Sequence, residues 1–127
     1  MIDEAYVSFE VAKLLNKKGF DEECNKVIHQ DTKNEYYFGN YSDEIKGRLL
    51  LVPTQQMACR WLREVHHLCI EPYRTACGYL FTVSKIWTGT EIYSAEYCGD
   101  DEASGQFTTW EDCVEYAIKY CLEHLID

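Results

Sequence analysis

The segment Thr109–Leu125, TWEDCVEYAIKYCLEHL, contains the clearest helical pattern in this 127-residue chain. Its apolar residues recur three and four positions apart over four turns, which is the spacing of a helix with one buried face. Thr109 precedes the pattern and can accept hydrogen bonds from the first N–H groups of a helix, and Glu111 suits the positive end of the helix dipole. The segment therefore predicts a C-terminal helix from Trp110 to Leu125.

Two earlier segments begin in the same way, with a hydroxyl residue followed two positions later by Glu or Gln. After Ser8, the apolar spacing predicts a first helix from Phe9 to about Lys18, which a glycine ends. After Thr54, it predicts a second helix from Gln55 to about His66.

Between the second and third helices the apolar period changes to two, which is typical of half-buried strands. Residues 78–87 and 91–97 predict two strands joined by a tight turn at Thr88 and Gly89, and residues 68–70 predict a short strand that Pro72 ends. Residues 35–38 and 48–52 give a weaker hairpin pattern.

These elements predict an α+β fold in a single domain that spans residues 1–127. We expect an antiparallel sheet of three to five strands with about three amphipathic helices packed on one face. The predicted order of elements is α-β-β-α-β-β-β-α.

Two of the helical segments also carry a resemblance to a known group of proteins. Residues 6–20, YVSFEVAKLLNKKGF, and residues 53–66, PTQQMACRWLREVH, resemble small uncharacterised proteins encoded by phages and mobile elements of Bacteroides-type gut bacteria. The acidic amphipathic helix that ends near Leu125 and Ile126 is similar as well. The resemblance implies a small bacterial or phage accessory protein, and no functional residue is carried over with it.

Net charge is concentrated in the last third of the chain. Residues 86–127 contain ten acidic residues and one basic residue, a net of −9 out of the total of −10. Such a field repels nucleic acid and anionic lipid and attracts basic partners. We therefore expect neither direct nucleic-acid binding nor membrane binding, and we favour a protein partner. A sharper form of this hypothesis is that the acids imitate nucleic acid and occupy the basic surface of a nucleic-acid-binding protein.

The predicted polar face of the third helix combines acids with tyrosines, which give a large contact area at low entropic cost. This face is the candidate partner-binding surface, although the two tyrosines could equally shield the sheet or a loop. Its six residues are Glu111, Asp112, Glu115, Tyr116, Tyr120 and Glu123.

The residue pattern predicts no catalytic site, metal site or cofactor. His66, His67 and Cys69 do not have the spacing of a zinc site. Cys59 lies beside a cation and is the best candidate for a thiolate, but nothing specifies a base to activate it, so a structural thiol is the favoured interpretation.

The favoured function is thus a non-enzymatic accessory protein that binds another protein through its acidic C-terminal third. The alternative is a small ligand-binding module or enzyme with a pocket between the second helix and the sheet, near Trp61, His66 and His67. A homo-oligomer is left open. The acidic N-terminus has no apolar signal-peptide core and the longest apolar run is Leu49–Val52, so we expect a cytoplasmic protein with most of its seven cysteines as thiols.

Overall fold

Three helices and six strands make up the described part of the chain. The computed structural model describes residues 4–37, 39, 47–86 and 107–126, together with the backbone of residues 91–94. The α+β class is confirmed, and the order of elements matches the prediction apart from one extra strand. The elements are α1 (Phe9–Lys17), β1 (Lys26–His29), β2 (Glu35–Tyr37), β3 (Leu49–Val52), α2 (Gln55–His66), β4 (Leu68–Arg74), β5 (Tyr79–Lys85), β6 (Glu91–Ser94) and α3 (Trp110–Tyr120).

The three predicted helix starts are confirmed. Ser8, Thr54 and Thr109 are the N-cap residues, and each side chain accepts a hydrogen bond from the backbone N–H three residues later, at 3.1 to 3.2 Å. The final turn of the third helix differs from the prediction, because residues Cys121–Leu125 continue α3 as a π-helix rather than an α-helix.

The strands form two three-stranded antiparallel sheets rather than one, with orders β2-β1-β3 and β4-β5-β6. The extra strand is β1, which pairs with both of its neighbours. The predicted direct hairpin between residues 35–38 and 48–52 is therefore wrong in its pairing, because β1 lies between β2 and β3. The turn predicted at Thr88 and Gly89 lies outside the described residues.

Strand β4 is longer than predicted and continues through Pro72 to Arg74. Proline lacks a backbone N–H and is tolerated in a sheet chiefly on edge strands. Because β4 is at the edge of its sheet and pairs only with β5 there, Pro72 can lie opposite Phe81 without ending the strand.

The core lies where the helices pack on the sheets. Helix α1 contacts β3, α2 contacts β4, and α3 contacts β4 and β5 as well as both other helices. The largest fully buried side chains of the core include Leu15, Leu62, Phe81, Ile118 and Leu122. In the described part of the chain, no helix is both long enough and apolar enough to cross a membrane.

Candidate functional site

A cleft of about 490 Å³ lies between α2, β4 and the first turn of α3, with the N-terminal segment at its rim. Such a volume is within the range of small-ligand and side-chain pockets. Its apolar surfaces come mainly from strand β4 and helix α3, and polar groups occupy its edges. The lining residues are Glu4, Ala5, Gln55, Gln56, Cys59, Arg63, Ile70, Pro72, Trp110, Glu111 and Val114.

The first turn of α2 holds two acidic residues at the same end of this cleft, Glu4 through its carboxylate and Glu111 through its backbone oxygen. The backbone N–H of Gln55 donates to Ala5 O at 2.8 Å, and its side-chain Nε2 donates to the backbone oxygen of Glu111 at 2.9 Å. The amide of Gln56, with its nitrogen toward Glu4, donates to both carboxylate oxygens of that residue at 2.8 and 3.1 Å. Glu4 and Glu111 are therefore both fixed beside the start of α2, and both are exposed.

Arg63 marks the other end of the cleft. It follows Gln56 by seven residues, so the two lie on the same face of α2 and about 10 Å apart along its axis. Arg63 is exposed, and among the described residues its guanidinium has no hydrogen bond or ion pair. The cleft therefore has an acidic end and a basic end.

Trp110 supplies the aromatic surface of the cleft. Its side chain is 46% exposed although it is large and apolar. One part of it is fixed by Tyr79, whose ring lies at 89° to the indole with the centroids 5.9 Å apart. A tryptophan whose orientation is fixed by a neighbouring ring, and which is still exposed, gives a preformed contact surface.

Cys59 lies on the wall of this cleft, but its environment does not favour a thiolate. Burial raises the pKa of the Cys59 thiol to about 11, and the opposing effect of Arg63 is smaller. Burial likewise raises the pKa of Cys121 to about 12 and that of Cys24 to about 11. The structural interpretation of Cys59 is therefore favoured over a nucleophilic one.

Three of the six predicted partner-binding residues lie on the outer surface of the third helix. Asp112, Tyr116 and Glu123 are all exposed, with Asp112 and Tyr116 one α-helical turn apart and Glu123 in the π-helical turn that follows. Tyr116 is 37% exposed, and its ring packs against Phe107 and Phe81, at centroid distances of 5.2 and 6.0 Å. We call Asp112, Tyr116 and Glu123 the outer stripe.

The other three predicted residues face elsewhere. Glu111 borders the cleft. The Glu115 carboxylate accepts from the backbone N–H of Ser8 at 2.9 Å and from Gln55 Nε2 at 3.4 Å, so it connects α3 to the starts of α1 and α2. Tyr120 is half-buried and packs on His124, with centroids 4.7 Å apart.

On the described part of α3, a lysine partly neutralises the acidic charge. Lys119 lies on α3 between Tyr116 and Glu123 and pairs with Glu10 of α1, with Nζ 2.8 Å from the carboxylate. This pairing raises the pKa of Lys119 above its ordinary value, so the residue stays charged. The side chain of Glu91 and the residues Glu96, Asp100, Asp101, Glu102 and Asp127 lie outside what the structure describes.

The alternative site, near Trp61, His66 and His67, does not coincide with the cleft. Trp61 is buried and packs edge-to-face against Phe20 and His66, at 5.5 and 4.7 Å between centroids. Burial, with a smaller effect of His67, lowers the pKa of His66, whose buried Nε2 has no hydrogen-bond partner among the described residues. His67 ends α2 in a left-handed conformation, with φ of 59°.

A cleft does exist between α2 and the sheet, but it lies along the α2 residues Gln56, Cys59 and Arg63. Trp61 borders a separate depression of about 330 Å³ together with Arg60 and Glu64. The sequence did not indicate the cleft because its surfaces on α2 and α3 come from residues at least 47 positions apart in the chain. The available signal was Trp110, a large apolar residue in the first turn of an acidic helix.

Within the residues that the structure describes, no group of three or more His, Cys, Asp or Glu side chains is arranged to bind a metal ion. The six cysteines described are thiols rather than disulfides. Comparison of the chain with family models, with curated proteins and with solved structures finds no match.

Proposed function

We propose that the chain is a non-enzymatic binding protein whose partner is another protein that docks on the outer stripe. The observation that carries this proposal is the state of Tyr116. Its ring packs against two other aromatic rings while the residue remains 37% exposed, on a helix that also exposes Asp112 and Glu123. Aromatic residues that are already ordered lose little entropy on binding and are typical of the energetically important part of an interface.

Charge supports a basic partner. The segment 86–127 carries a net charge of −9, and the described acids Asp112 and Glu123 are exposed on the side of α3 away from the core. Opposite charge on a partner would accelerate association and select against acidic competitors. A basic nucleic-acid-binding surface is one partner of this kind, and the protein would then occupy it in place of nucleic acid.

The biological setting is part of the same proposal. The resemblance of residues 6–20 and 53–66 to phage-encoded and mobile-element-encoded proteins supports an accessory role in a bacterial host. The thiol state of the described cysteines supports a reducing compartment, which is the cytoplasm.

The test is a comparison of captured proteins between matched variants. The double variant Asp112→Asn with Glu123→Gln removes two charges from the outer stripe. The control, Asp21→Asn with Glu22→Gln, removes the same two charge types from the exposed segment after α1. Each protein is used to capture partners from lysate of a Bacteroides-type gut bacterium, the host that the resemblance implies, at low and at high salt.

We expect proteins that are retained by the natural chain and by the control, and that are lost from the outer-stripe variant and at high salt. If the natural chain, the control and the outer-stripe variant retain the same proteins, the outer stripe is not the binding surface.

A second candidate function is the binding of a small ligand, which the 490 Å³ cleft favours. A ligand that binds the native state tightly must raise the melting temperature. A thermal-shift screen of common metabolites against the natural chain and Trp110→Leu would therefore detect it, with the shift reduced in the variant. A screen in which no metabolite gives a shift would contradict this candidate.

A further inference from the structure

We propose that the cleft between α2, β4 and α3 receives a basic side chain, arginine or lysine, of the protein partner. This inference rests on the proposed function, since the basic residue belongs to the partner. It adds a pocket that is separate from the outer stripe, because Asp112, Tyr116 and Glu123 do not line the cleft.

The arrangement of apolar and acidic groups in the cleft matches the structure of such a side chain. Arginine and lysine have a long apolar stem and a cationic head. The cleft offers apolar walls at Ile70, Pro72 and Val114, and carboxylates at one end from Glu4 and Glu111. The exposed indole of Trp110, next to Glu111 in the chain, can accept a cation over its face.

The positions of the charges decide between a cation and an anion as the occupant. The hydrogen bonds of Gln56 fix the Glu4 carboxylate beside the first turn of α2, and Gln55 holds the backbone oxygen of Glu111, which also lines the cleft, at the same turn. Among the described residues that line the cleft, Arg63 is the one arginine, and its backbone lies two helical turns beyond Gln56, about 10 Å along the helix axis. The end of the cleft near Trp110 carries two acidic residues, so a cationic head bound there meets two negative charges. Arg63 lies about one Debye length further along the cleft, and ions in solution screen its repulsion over that distance.

Backbone pairing along β4 is a less suitable way to bind a partner. A peptide could add a strand to an exposed sheet edge, but proline on an edge strand removes a donor from it. Pro72 is in the middle of β4. Side-chain insertion into the cleft makes use of Pro72 as an apolar wall and does not need its missing N–H.

The test uses N-acetyl-arginine amide as a probe of the cleft in the full chain. Its matched control is N-acetyl-citrulline amide, which has nearly the same shape without the charge, and N-acetyl-glutamate amide is the anionic control. Binding is followed by the indole N–H signal of Trp110 in two-dimensional NMR spectra, assigned from the spectrum of Trp110→Phe.

We expect a saturable shift of the Trp110 signal with the arginine probe, with a Kd of about 1 mM for a fragment of this size. The citrulline and glutamate probes should give no saturable shift. Glu111→Gln should weaken binding of the arginine probe about threefold to fivefold, which is the contribution of one exposed ion pair. Asp112→Asn removes a charge from the adjacent position outside the cleft and should change the Kd less than twofold.

The variant Arg63→Gln is expected to have opposite effects on binding for a cationic and for an anionic occupant of the cleft. If the cleft receives a cation, this variant binds the arginine probe equally well or more tightly. A glutamate probe that binds the natural chain and loses binding in Arg63→Gln would overturn the inference, as would equal binding of arginine and citrulline or the absence of a saturable shift. Each of these three results could occur while the outer-stripe variant still loses its partner. Failure of the cleft inference is therefore distinguishable from failure of the proposed function.

Discussion

Replacing Glu115 with alanine distinguishes a residue that stabilises the fold from the residues that we propose contact a partner. Glu115 belongs to the acidic face of α3, yet its carboxylate accepts hydrogen bonds from the backbone of Ser8, 107 residues away, and from the side chain of Gln55. We therefore expect Glu115→Ala to lower the free energy of unfolding.

The magnitude follows from the two hydrogen bonds. The bond from Ser8 N–H at 2.9 Å is charge-assisted but exposed, and we assign it about 1 kcal/mol, below the range for buried charged pairs. The contact with Gln55 at 3.4 Å is long and adds a few tenths of a kcal/mol, about as much as the higher helix propensity of alanine returns. The expected net loss is about 1 kcal/mol, which corresponds to a melting temperature lower by about 4 °C in a domain of this size.

The assay is urea denaturation followed by circular dichroism, with Glu123→Ala as the matched control on the same helix. Glu123 is exposed and makes no hydrogen bond among the described residues, so its replacement should change the free energy of unfolding by less than about 0.5 kcal/mol. Equal stability of the two variants would refute the bridging role of Glu115. In that case Glu115 would return to the candidate partner-binding residues.

Two further predictions concern titratable groups. Burial lowers the pKa of His66, so the unfolded chain binds a proton more readily than the native one, and stability should fall as pH drops through the ordinary histidine range near 6.5. His66→Gln should reduce this pH dependence of the free energy of unfolding, whereas His124→Gln, at an exposed position, should not; identical pH profiles for the natural chain and His66→Gln would disprove it. Because the pKa of Cys59 is about 11, native-state alkylation with iodoacetamide at pH 7, measured by peptide mass spectrometry, should modify exposed Cys77 well before Cys59, and similar rates at the two positions would contradict the assignment of Cys59 as a buried thiol.

The sequence determined the helices because the signals that define them are local. Ser8, Thr54 and Thr109 each cap a helix through a hydrogen bond to an N–H three residues later, so the start can be recognised within one turn. Helix periodicity can likewise be recognised from neighbouring residues alone. The π-helical end of α3 was not predicted, because its apolar spacing does not differ enough from that of an α-helix. Strand β1 escaped because its four residues include the adjacent buried pair Val27 and Ile28, which breaks the alternation expected of a half-buried strand.

Tertiary structure alone decided the division into two sheets, the position of the cleft and the role of Glu115. Each depends on residues far apart in the chain, and charge or apolar character does not specify which distant group a side chain will meet. The acidic face of α3 illustrates this. Its sequence predicted one surface, but packing directed Glu115 to the start of α1 and Glu111 to the cleft, and it left Asp112, Tyr116 and Glu123 facing outward. The sequence supplied the charges and the helix, and the arrangement of three helices around two sheets determined which of those charges bind the protein itself and which are available to a partner.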